Sequence, residues 1–517
     1  MSERTLSERF HQAAEATPDK LALCCEGQRL SYAALARMAR RLGAAMTAEG
    51  VAHGDAVAVV LPNTPAFVAL LLTAADLGLT LVPLSPALPP PALATACRAA
   101  RVKHVVGSLG VLEELKGSGL LPLDIAAGLW LSVGGPIPGG HDWTICVDAA
   151  PDAAPHFAGR NEDAFILTMT SGSTGDPKPI ILTQRTKLQR AAAAQALYGV
   201  NADDITLAAT PLYHSLAERL VLLPLITGGT SVLMARFSPS EWLRHVAEEG
   251  VTFTIAVSSQ LSQILPALKT ATTPEHNLVA SLRCLVSSSA RLDPQTKAEW
   301  LAHFHGEFHE CYGASEIAIA TNLSTEEARD KLKSVGRAAP GVDVKILAEN
   351  GAWADTGEVG EIVCRTPMLF GGYYLRDDLT RAAMHGDYFR TGDLGRLDAD
   401  GFLYFMGRAK ELIISGGINV YPADVESAVA AAPGVAECAA FPLHDAGLGE
   451  VVGVALVARA GEEVNLRTLR HHCARTLADF QLPRKFFVLP QLPRNGMGKI
   501  MKSALVAEFG GNPNDAP

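Results

Sequence analysis

Apolar runs of strand length alternate with helical patterns along the first two thirds of the chain, and this alternation restricts the fold more than any other feature. Residues 55–62 predict a strand, and residues 66–84 predict a buried helix followed by a strand. Further strands are predicted at residues 229–235, 251–258 and 281–289, with helices between them. Because strands that alternate with helices form largely parallel sheets, the sequence predicts an α/β fold.

The pattern changes after residue 334. Short strands with glycine-rich turns, at residues 343–347, 360–366 and 401–408, predict a β-rich, barrel-like subdomain. Smaller α/β units follow residue 410, with a capped helix at residues 421–435 and two paired strands at residues 436–443 and 450–459. We therefore expect a domain boundary near residues 407–410.

Composition limits the class of protein. The chain has 517 residues, 48% hydrophobic and 19% charged, which is typical of a globular protein with a large core. A net charge of −10 disfavours non-specific nucleic-acid binding, although a local cationic cluster can still bind an anionic substrate. The nine cysteines form no C-x-x-C pair, which indicates reduced thiols in a cytoplasm without a zinc site or disulfide framework.

No targeting or membrane segment is expected. The first ten residues, MSERTLSERF, are charged and lack the apolar region of a signal peptide. The most apolar stretch, residues 66–84, is interrupted by Asp76 and Gly78, which favours a buried helix over a transmembrane segment.

The stretch TMTSGSTGDPKPII, residues 168–181, predicts a phosphate-binding loop. Gly172 and Gly175 let the backbone turn its N–H groups to one side. Further donors are the hydroxyls of Ser171, Ser173 and Thr174 and the ammonium of Lys178. It differs from the P-loop of nucleoside triphosphatases, because the lysine follows a proline and no Ser or Thr comes after it. A structural turn is the alternative interpretation.

Five more motifs follow in a fixed order. They are PLYHS (211–215), CYGASE (311–316), YFRTGDLG (388–395), GRAKELIISGGINVYPADVE (407–426) and LPRNGMGKI (492–500). Together with the loop they closely resemble the adenylate-forming (ANL) superfamily, which includes acyl-CoA synthetases, adenylation domains of peptide synthetases and firefly luciferase. The resemblance covers essentially the whole chain.

The resemblance implies a fold and a reaction. It implies a large N-terminal domain, residues 1–407, of two helix-flanked β-sheets plus a distorted β-barrel, and a small mobile C-terminal α+β domain, residues 408–517. The implied substrates and cofactors are a small-molecule carboxylic acid, ATP, Mg²⁺ and coenzyme A. The carboxylate attacks the α-phosphate to give acyl-adenylate and pyrophosphate, and a thiol then takes the acyl group. Since these reactants are anions, catalysis requires charge neutralisation and alignment.

Individual roles also follow from the resemblance. The β- and γ-phosphates would be held by Thr170, Ser171, Gly172, Ser173, Thr174, Gly175 and Lys178. Tyr312 would stack on adenine, with Gly313 allowing close approach. Ser315 would contact the phosphate or the acyl carboxylate. Glu316 would bind Mg²⁺, for which a carboxylate is a suitable ligand.

The remaining implied roles are distributed along the chain. Asp393 would accept hydrogen bonds from the ribose hydroxyls, with Arg408 nearby. Lys499 would reach the α-phosphate and the acyl oxygens, and His214 would form a gate near the acyl carboxylate. Taken singly, each has a plain alternative, such as a turn aspartate, a surface lysine or a helix-end histidine satisfied by a backbone carbonyl.

The glycine pair indicates the branch of the superfamily. In acyl-CoA synthetases the pantetheine arm passes Gly416 and Gly417, which follow Ser415, and Lys410 corresponds to the interdomain hinge. No carrier-protein motif follows the last lysine, so we favour a stand-alone acid–CoA ligase. The alternatives are an enzyme that loads a phosphopantetheine carrier protein and a non-catalytic nucleotide-binding protein. A cytoplasmic homodimer is possible.

Some positions depart from the family pattern. Pro179 replaces the usual glycine and removes one N–H, Gln184 replaces a common His or Arg, and residues 287–289 are three serines. Glu218 and Arg219 lie in an otherwise apolar helix beside the expected acyl pocket. One hypothesis is that Glu218 faces the acyl pocket and selects a polar or amino-bearing acid, and the alternative is an ion pair at the helix edge.

Overall fold

A computed structural model of the chain describes residues 4–121, 125, 127–152, 158–171, 177–271, 277–459, 461–495 and 500–511. The chain divides into two compact units. The first unit contains Met1–Leu332, Ala339–Asp343 and Arg365–Met384, and the second contains Lys333–Ala338, Val344–Cys364 and His385–Pro517.

The first unit contains both of the large sheets. Its helices are α1 Leu6–Ala16, α2 Tyr32–Ala48, α3 Pro65–Leu77, α4 Pro90–Ala99, α5 Leu109–Gly117, α6 Trp143–Ala149, α7 Gln184–Tyr198, α8 Ser215–Thr227, α9 Pro239–Glu249, α10 Ser258–Ala271, α11 Pro294–His303, α12 Thr325–Asp330 and α13 Asp377–Ala382. Its strands are β1 Leu21–Cys25, β2 Gln28–Ser31, β3 Ala56–Val60, β4 Thr80–Pro83, β5 His104–Ser108, β6 Trp130–Val133, β7 His141–Asp142, β8 Ala164–Ser171, β9 Pro177–Thr183, β10 Ile205–Ala208, β11 Thr230–Leu233, β12 Phe253–Val257, β13 Cys284–Ser288, β14 Glu307–Tyr312 and β15 Thr321–Leu323.

The second unit is richer in strands. Its strands, some of which begin or end at the unit boundary, are β16 Arg337–Ala338, β17 Asp343–Leu347, β18 Gly360–Arg365, β19 Met384–His385, β20 Tyr388–Leu397, β21 Leu403–Arg408, β22 Ile413–Ser415, β23 Ile418–Val420, β24 Val435–Asp445, β25 Gly449–Ala458 and β26 Lys485–Val488. Its helices are α14 Pro422–Ala430, α15 Leu466–Thr476 and α16 Lys502–Phe509, with 3₁₀ turns at Ala409–Glu411 and Asp479–Gln481.

The first sheet has the strand order β7-β6-β5-β3-β4-β8-β9. Its pairs are parallel except for the antiparallel pair β8–β9 at one edge. The predicted strand at residues 55–62 is β3, and the stretch at residues 66–84 divides into α3 and β4, as expected. Thr64 caps the start of α3 and Gly78 ends it, so the break predicted from the sequence is confirmed.

Asp76 illustrates why the apolar helix α3 lies in a protein interior. Its carboxylate is buried and accepts hydrogen bonds from the Ser7 hydroxyl and from His11, 3.1 Å away, both on α1. The charged group is therefore paired inside the fold, as buried carboxylates must be. Within the described ranges, no helix combines the length and the apolar character needed to cross a membrane.

The second sheet brings distant parts of the chain together. From β15 the order is β15-β14-β13-β12-β10-β11-β1-β2, and the pairs from β14 to β1 are parallel. The predicted strands at residues 229–235, 251–258 and 281–289 are β11, β12 and β13, so the expectation of largely parallel sheets is confirmed. The carboxyl ends of β12, β13 and β14 meet at one sheet edge, where ligands of α/β proteins commonly bind.

The β-rich part of the second unit is an open sheet. Its order is β17-β18-β20-β19, and β21 pairs with β20 in antiparallel fashion. The distorted β-barrel expected here is not closed in the described residues, because the end strands β17 and β19 do not pair with each other. The boundary at residues 407/408 stays a prediction.

The last part of the chain forms a second five-stranded sheet, β23-β22-β25-β24, with β26 beside β25. The long antiparallel pair β24–β25, with Cys438 opposite Leu456, confirms the paired strands predicted there. Helices α14 and α15 cover one face through Val425, Val429 and Leu469, while Leu505 of α16 packs in a separate apolar cluster with Phe441.

Candidate active site

The candidate phosphate loop lies between two antiparallel strands at the edge of the first sheet. Thr170 and Ser171 end β8, and Thr170 is directly opposite Lys178 of β9. The structure thus brings the two ends of the predicted loop together. The other predicted loop residues, Gly172, Ser173, Thr174 and Gly175, lie outside the described residues.

Residues 370–374, which we call the covering segment, complete the outer edge of β9. The N–H of Tyr374 donates to the carbonyl of Pro179 at 2.8 Å, and Gly371 and Gly372 exchange hydrogen bonds with Ile181 at 2.8 and 2.9 Å. Pro179 therefore lacks an N–H but still contributes its carbonyl to the strand pairing. The hairpin of β8 and β9, which we call the phosphate hairpin, is therefore paired on both sides, through β8 to β4 and through β9 to the covering segment.

Residues 313–318, the glutamate turn, follow β14. Tyr312 is buried at the end of the strand, and its carbonyl accepts a hydrogen bond from Ala320 at 2.8 Å. A Cβ on Gly313 would lie 1.6 Å from the carbonyl oxygen of Ala318, which has a positive φ of 59°. Glycine is therefore required here by the turn itself, whatever ligand approaches it.

Arg190 on α7 anchors the glutamate turn. Its side chain is 2% exposed, and one terminal nitrogen donates to the Ser315 carbonyl at 2.7 Å, with the carbonyls of Glu316 and Met368 at 3.4 and 3.3 Å. Burial and then the charge of Arg219 lower the pKa of Arg190 to about 9, so it stays protonated at neutral pH. Sequence reasoning missed this residue, although a cation on the alanine-rich face of α7 was a visible signal.

The covering segment also holds Glu316. The N–H of Phe370 donates to the Glu316 carbonyl at 2.7 Å, and the Tyr373 hydroxyl lies 3.5 Å from the carboxylate. Burial and the charge of Glu316 raise the pKa of Tyr373, so its hydroxyl remains a donor. Because Tyr373 also bridges Ile180 of β9, one short segment connects the phosphate hairpin to the candidate metal ligand.

His214 occupies the N-cap position of α8, beside the ring of Tyr213 at 4.7 Å. Its Nε2 is buried and has no hydrogen-bond partner among the described residues, so no backbone carbonyl satisfies that atom. Burial lowers the pKa of His214 to about 4. The imidazole is therefore neutral at physiological pH and adds no charge to the site.

Glu218 does not have the role that the first hypothesis gave it. The carboxylate is fully buried and forms an ion pair with Lys187 of α7. The ion-pair alternative is thus the observed one, with an interior partner in place of one at the helix edge. Lys187 contacts Oε2 of the carboxylate, and Oε1 is buried without a hydrogen-bond partner among the described residues.

The three serines at residues 287–289 include the last two residues of β13 and the residue that follows it. Ser287 is fully buried, and the Ser258 hydroxyl lies 3.4 Å from the carbonyl of Ser288. Gln184 is also buried and donates to the Ala75 carbonyl at 3.0 Å. Both departures from the family pattern are built into the packing around the site.

Asp393 and Arg408 are neighbours in the second unit, as expected. They are directly opposite each other in the antiparallel pair β20–β21, with Arg408 Nε 3.4 Å from an Asp393 carboxylate oxygen. Asp393 is only 6% exposed, whereas Arg408 is half-exposed. This geometry places a guanidinium beside the carboxylate.

The predicted thiol-side residues are also in the second unit. Lys410 is exposed in a 3₁₀ turn, and Ser415 is buried at the end of β22. Gly416 and Gly417, with φ of 58° and 82°, form the exposed turn between β22 and β23 and require glycine for that reason. Lys499 lies outside the described residues.

Two family models match the chain. The model of the AMP-binding enzyme covers residues 10–374, and that of the AMP-binding enzyme C-terminal domain covers residues 424–499. The chain belongs to the AMP-binding enzyme family. The resemblance drawn from the six motifs is therefore confirmed.

Relatives in this family match the chain over almost its whole length. It is 32% identical over 510 residues to sulfoacetate–CoA ligase of Cupriavidus necator, covering 95% of each chain. It is 31% identical over 501 residues to feruloyl-CoA synthase of Amycolatopsis sp, covering 96% of this chain and 97% of that protein. The o-succinylbenzoate CoA synthetase of Bacillus subtilis, solved with an acyl-adenylate intermediate, is 28% identical with a TM-score of 0.86 over 98% of each chain.

We expect Gly313→Ala to weaken nucleotide binding by this AMP-binding enzyme about tenfold or more, because the new methyl group must displace the glutamate turn. The Kd for AMP, measured by calorimetry, tests this. Gly110→Ala is the matched control, since a Cβ there meets no atom within 4 Å. An unchanged Kd in the Gly313 variant would show that the turn does not support the nucleotide site.

The lowered pKa of His214 predicts a pH effect on stability. Between pH 6.5 and 4 the unfolded imidazole binds a proton that the folded one excludes, so acidification destabilises the protein. At pH 5 this costs about 2 kcal/mol. We expect His214→Gln to lose less free energy of unfolding than the unmodified protein between pH 7 and 5. Parallel losses in denaturant titrations would show that His214 is not the buried neutral group.

Proposed function

We propose that this chain is an ATP-dependent carboxylic acid–CoA ligase. It activates a carboxylate as acyl-AMP with release of pyrophosphate and then transfers the acyl group to coenzyme A. The observation that carries the proposal is the similarity to named CoA ligases, which spans at least 95% of the chain.

Glu316 is the proposed ligand for Mg²⁺. Its half-buried carboxylate offers oxygen donors, which Mg²⁺ prefers, and its backbone is fixed by Arg190 and Phe370. When bound, the ion supplies positive charge against the phosphates. In this proposal, Asp393, beside Arg408, accepts hydrogen bonds from the ribose hydroxyls, and Tyr312 stacks on the adenine.

The main difficulty of the reaction is that a carboxylate must approach a polyphosphate. Lys178 and the main-chain N–H groups of the loop hold the β- and γ-phosphates, and Lys499 balances the charge that develops at the α-phosphate. Ser315 orients the oxygens of the phosphate or of the acyl carboxylate. His214 forms a gate near the acyl carboxylate. Because its imidazole is neutral, it adds neither a positive charge nor an acidic proton there.

The thiol step uses the second unit. Gly416 and Gly417 leave space for the pantetheine arm next to Ser415, and Lys410 lies at the hinge of the small domain. We further propose domains at residues 1–407 and 408–517, a cytoplasmic location and a possible homodimer. The acceptor is free coenzyme A in this proposal, with a carrier protein as the competing acceptor.

The relatives leave the class of acid open, because sulfoacetate carries a second anionic group and ferulate is an aromatic acid. We expect pyrophosphate release from ATP and Mg²⁺ with one class of a carboxylic acid panel, accelerated by coenzyme A. Acid-dependent release that ignores coenzyme A would favour the carrier-protein acceptor. ATP binding without release for any acid would favour the non-catalytic alternative.

Lys499→Ala should slow acyl-adenylate formation by about two orders of magnitude, as expected for loss of one group that stabilises transition-state charge. Transfer to coenzyme A from supplied acyl-adenylate should be preserved. Single-turnover assays separate the two half-reactions, and Lys269→Ala, an exposed lysine on α10, is the control. Equal losses in both half-reactions would contradict the proposed role of Lys499.

A further inference from the structure

Four charged side chains meet in the interior between α7 and α8, and we call them the cationic cluster. They are Lys187 and Arg190 from α7 and Glu218 and Arg219 from α8. Lys187, Arg190 and Glu218 are 6%, 2% and 0% exposed, so solvent does not screen them effectively. Three cations and one carboxylate leave an excess of positive charge.

Among the described residues, Glu218 is the only carboxylate that forms an ion pair with this cluster. Glu218 is already engaged by Lys187, and Arg190 donates to main-chain carbonyls, which carry no net charge. Glu316 lies near Arg190, but its carboxylate faces Tyr373 and is the proposed metal ligand. By contrast, buried Lys297 in the same unit is matched by buried Glu310.

Arg219 is the least satisfied member of the cluster. Its Nε is buried without a hydrogen-bond partner, and no hydrogen bond or ion pair joins its guanidinium to another described residue. Burial lowers its pKa, which reflects the cost of keeping this charge in the interior. Arg219 as a whole is partly buried, and a cation held there without a hydrogen-bond partner is costly, so an anion that arrives with the substrate would offset that cost.

The cluster lines a small cavity. Its lining includes the cations Lys187, Arg190 and Arg219, the hydroxyl of Ser215, and the apolar side chains of Leu6, Leu222 and Leu223. The cavity volume is about 10 Å³, which is room for one water-sized group. A larger anionic group needs Arg219 to move, and Arg219 is the member that no hydrogen bond or ion pair holds in place.

The cavity adjoins the residues proposed for the reacting end of the acid. Ser215 directly follows His214, and Arg190 contacts the Ser315 carbonyl at 2.7 Å. Arg219 is one helical turn beyond Ser215, which is roughly 6 Å along the axis. A chain of a few carbon atoms spans that distance.

We propose that the cationic cluster binds a second anionic group, a carboxylate or sulfonate, at the distal end of a short substrate acid, with Arg219 as its main ligand. The inference rests on the proposed ligase function and specifies its substrate class. The apolar side chains that line the same cavity, among them Leu6 and Leu222, accommodate the methylene groups between the two acidic groups.

The test compares matched acids in the pyrophosphate-release assay with coenzyme A. The pairs are malonate with propionate, succinate with butyrate, glutarate with valerate and sulfoacetate with propionate. In one or more pairs, we expect kcat/KM to be at least about tenfold higher for the acid with the second anionic group. That is the effect of one charge-assisted hydrogen bond. The first three pairs test a carboxylate and the last a sulfonate.

Variants of Arg219 locate the effect. Arg219→Met should remove the preference for the acid with the second anionic group, while kcat/KM for the matched monocarboxylate changes less than about threefold. Arg219→Lys should retain part of the preference. The matched control is Arg185→Met, since Arg185 is on the same helix but half-exposed and paired with Glu162.

Thermal unfolding distinguishes binding from a structural role. Because Arg219→Met removes an unpaired cation, its Tm should equal or exceed that of the unmodified protein. A clear fall in Tm would show that Arg219 supports the fold and would overturn the inference. Equal kcat/KM for the acids with and without a second anionic group would overturn it too, while leaving the ligase function intact. Release that no acid stimulates would contradict the proposed function itself.

Discussion

A buried guanidinium determines the geometry of the candidate site. Arg190 joins α7 to the carbonyls of Ser315, Glu316 and Met368, which belong to two loops far apart in sequence. Buried carbonyls at an irregular turn need donors, and here a helix side chain supplies one where a strand neighbour would otherwise do so. The covering segment extends this hydrogen-bond network to β9. The metal-ligand candidate and the phosphate hairpin thus depend on one network of hydrogen bonds.

Much of the fold was predictable because its signals are local. The helix and strand in residues 66–84, the strands β11 to β13 and the pair β24–β25 each follow from apolar patterning and from the Gly and Pro residues that flank it. The pairing of β1 with β11, which places Cys24 opposite Val232, has no local signal. The distorted barrel that the resemblance implies is an open sheet in the described residues, because closure depends on long-range pairing between end strands, which has no local signal either.

The candidate site divides in the same way. Asp393 and Arg408 were expected together, and they are opposite each other because a tight antiparallel pair separates them by only a few strand positions. Arg190 and Tyr373 were missed because their contacts are with main-chain atoms or with side chains from distant segments. Motif spacing identifies groups that contact ligands more readily than the groups that hold those motifs in place.

The charge expected next to the proposed acyl side of the site changes sign once the ion pair of Glu218 is taken into account. In the sequence Glu218 and Arg219 are neighbours in an otherwise apolar helix, and one hypothesis gave the pocket the negative charge of Glu218, but the partner of Glu218 is Lys187 on another helix. With that pair formed, Arg190 and Arg219 leave the local field positive. An ammonium placed there would add a like charge in a poorly screened interior, whereas an anion would lower the repulsion between the two guanidinium groups. The same field favours drawing a doubly charged acid towards phosphates that would otherwise repel it.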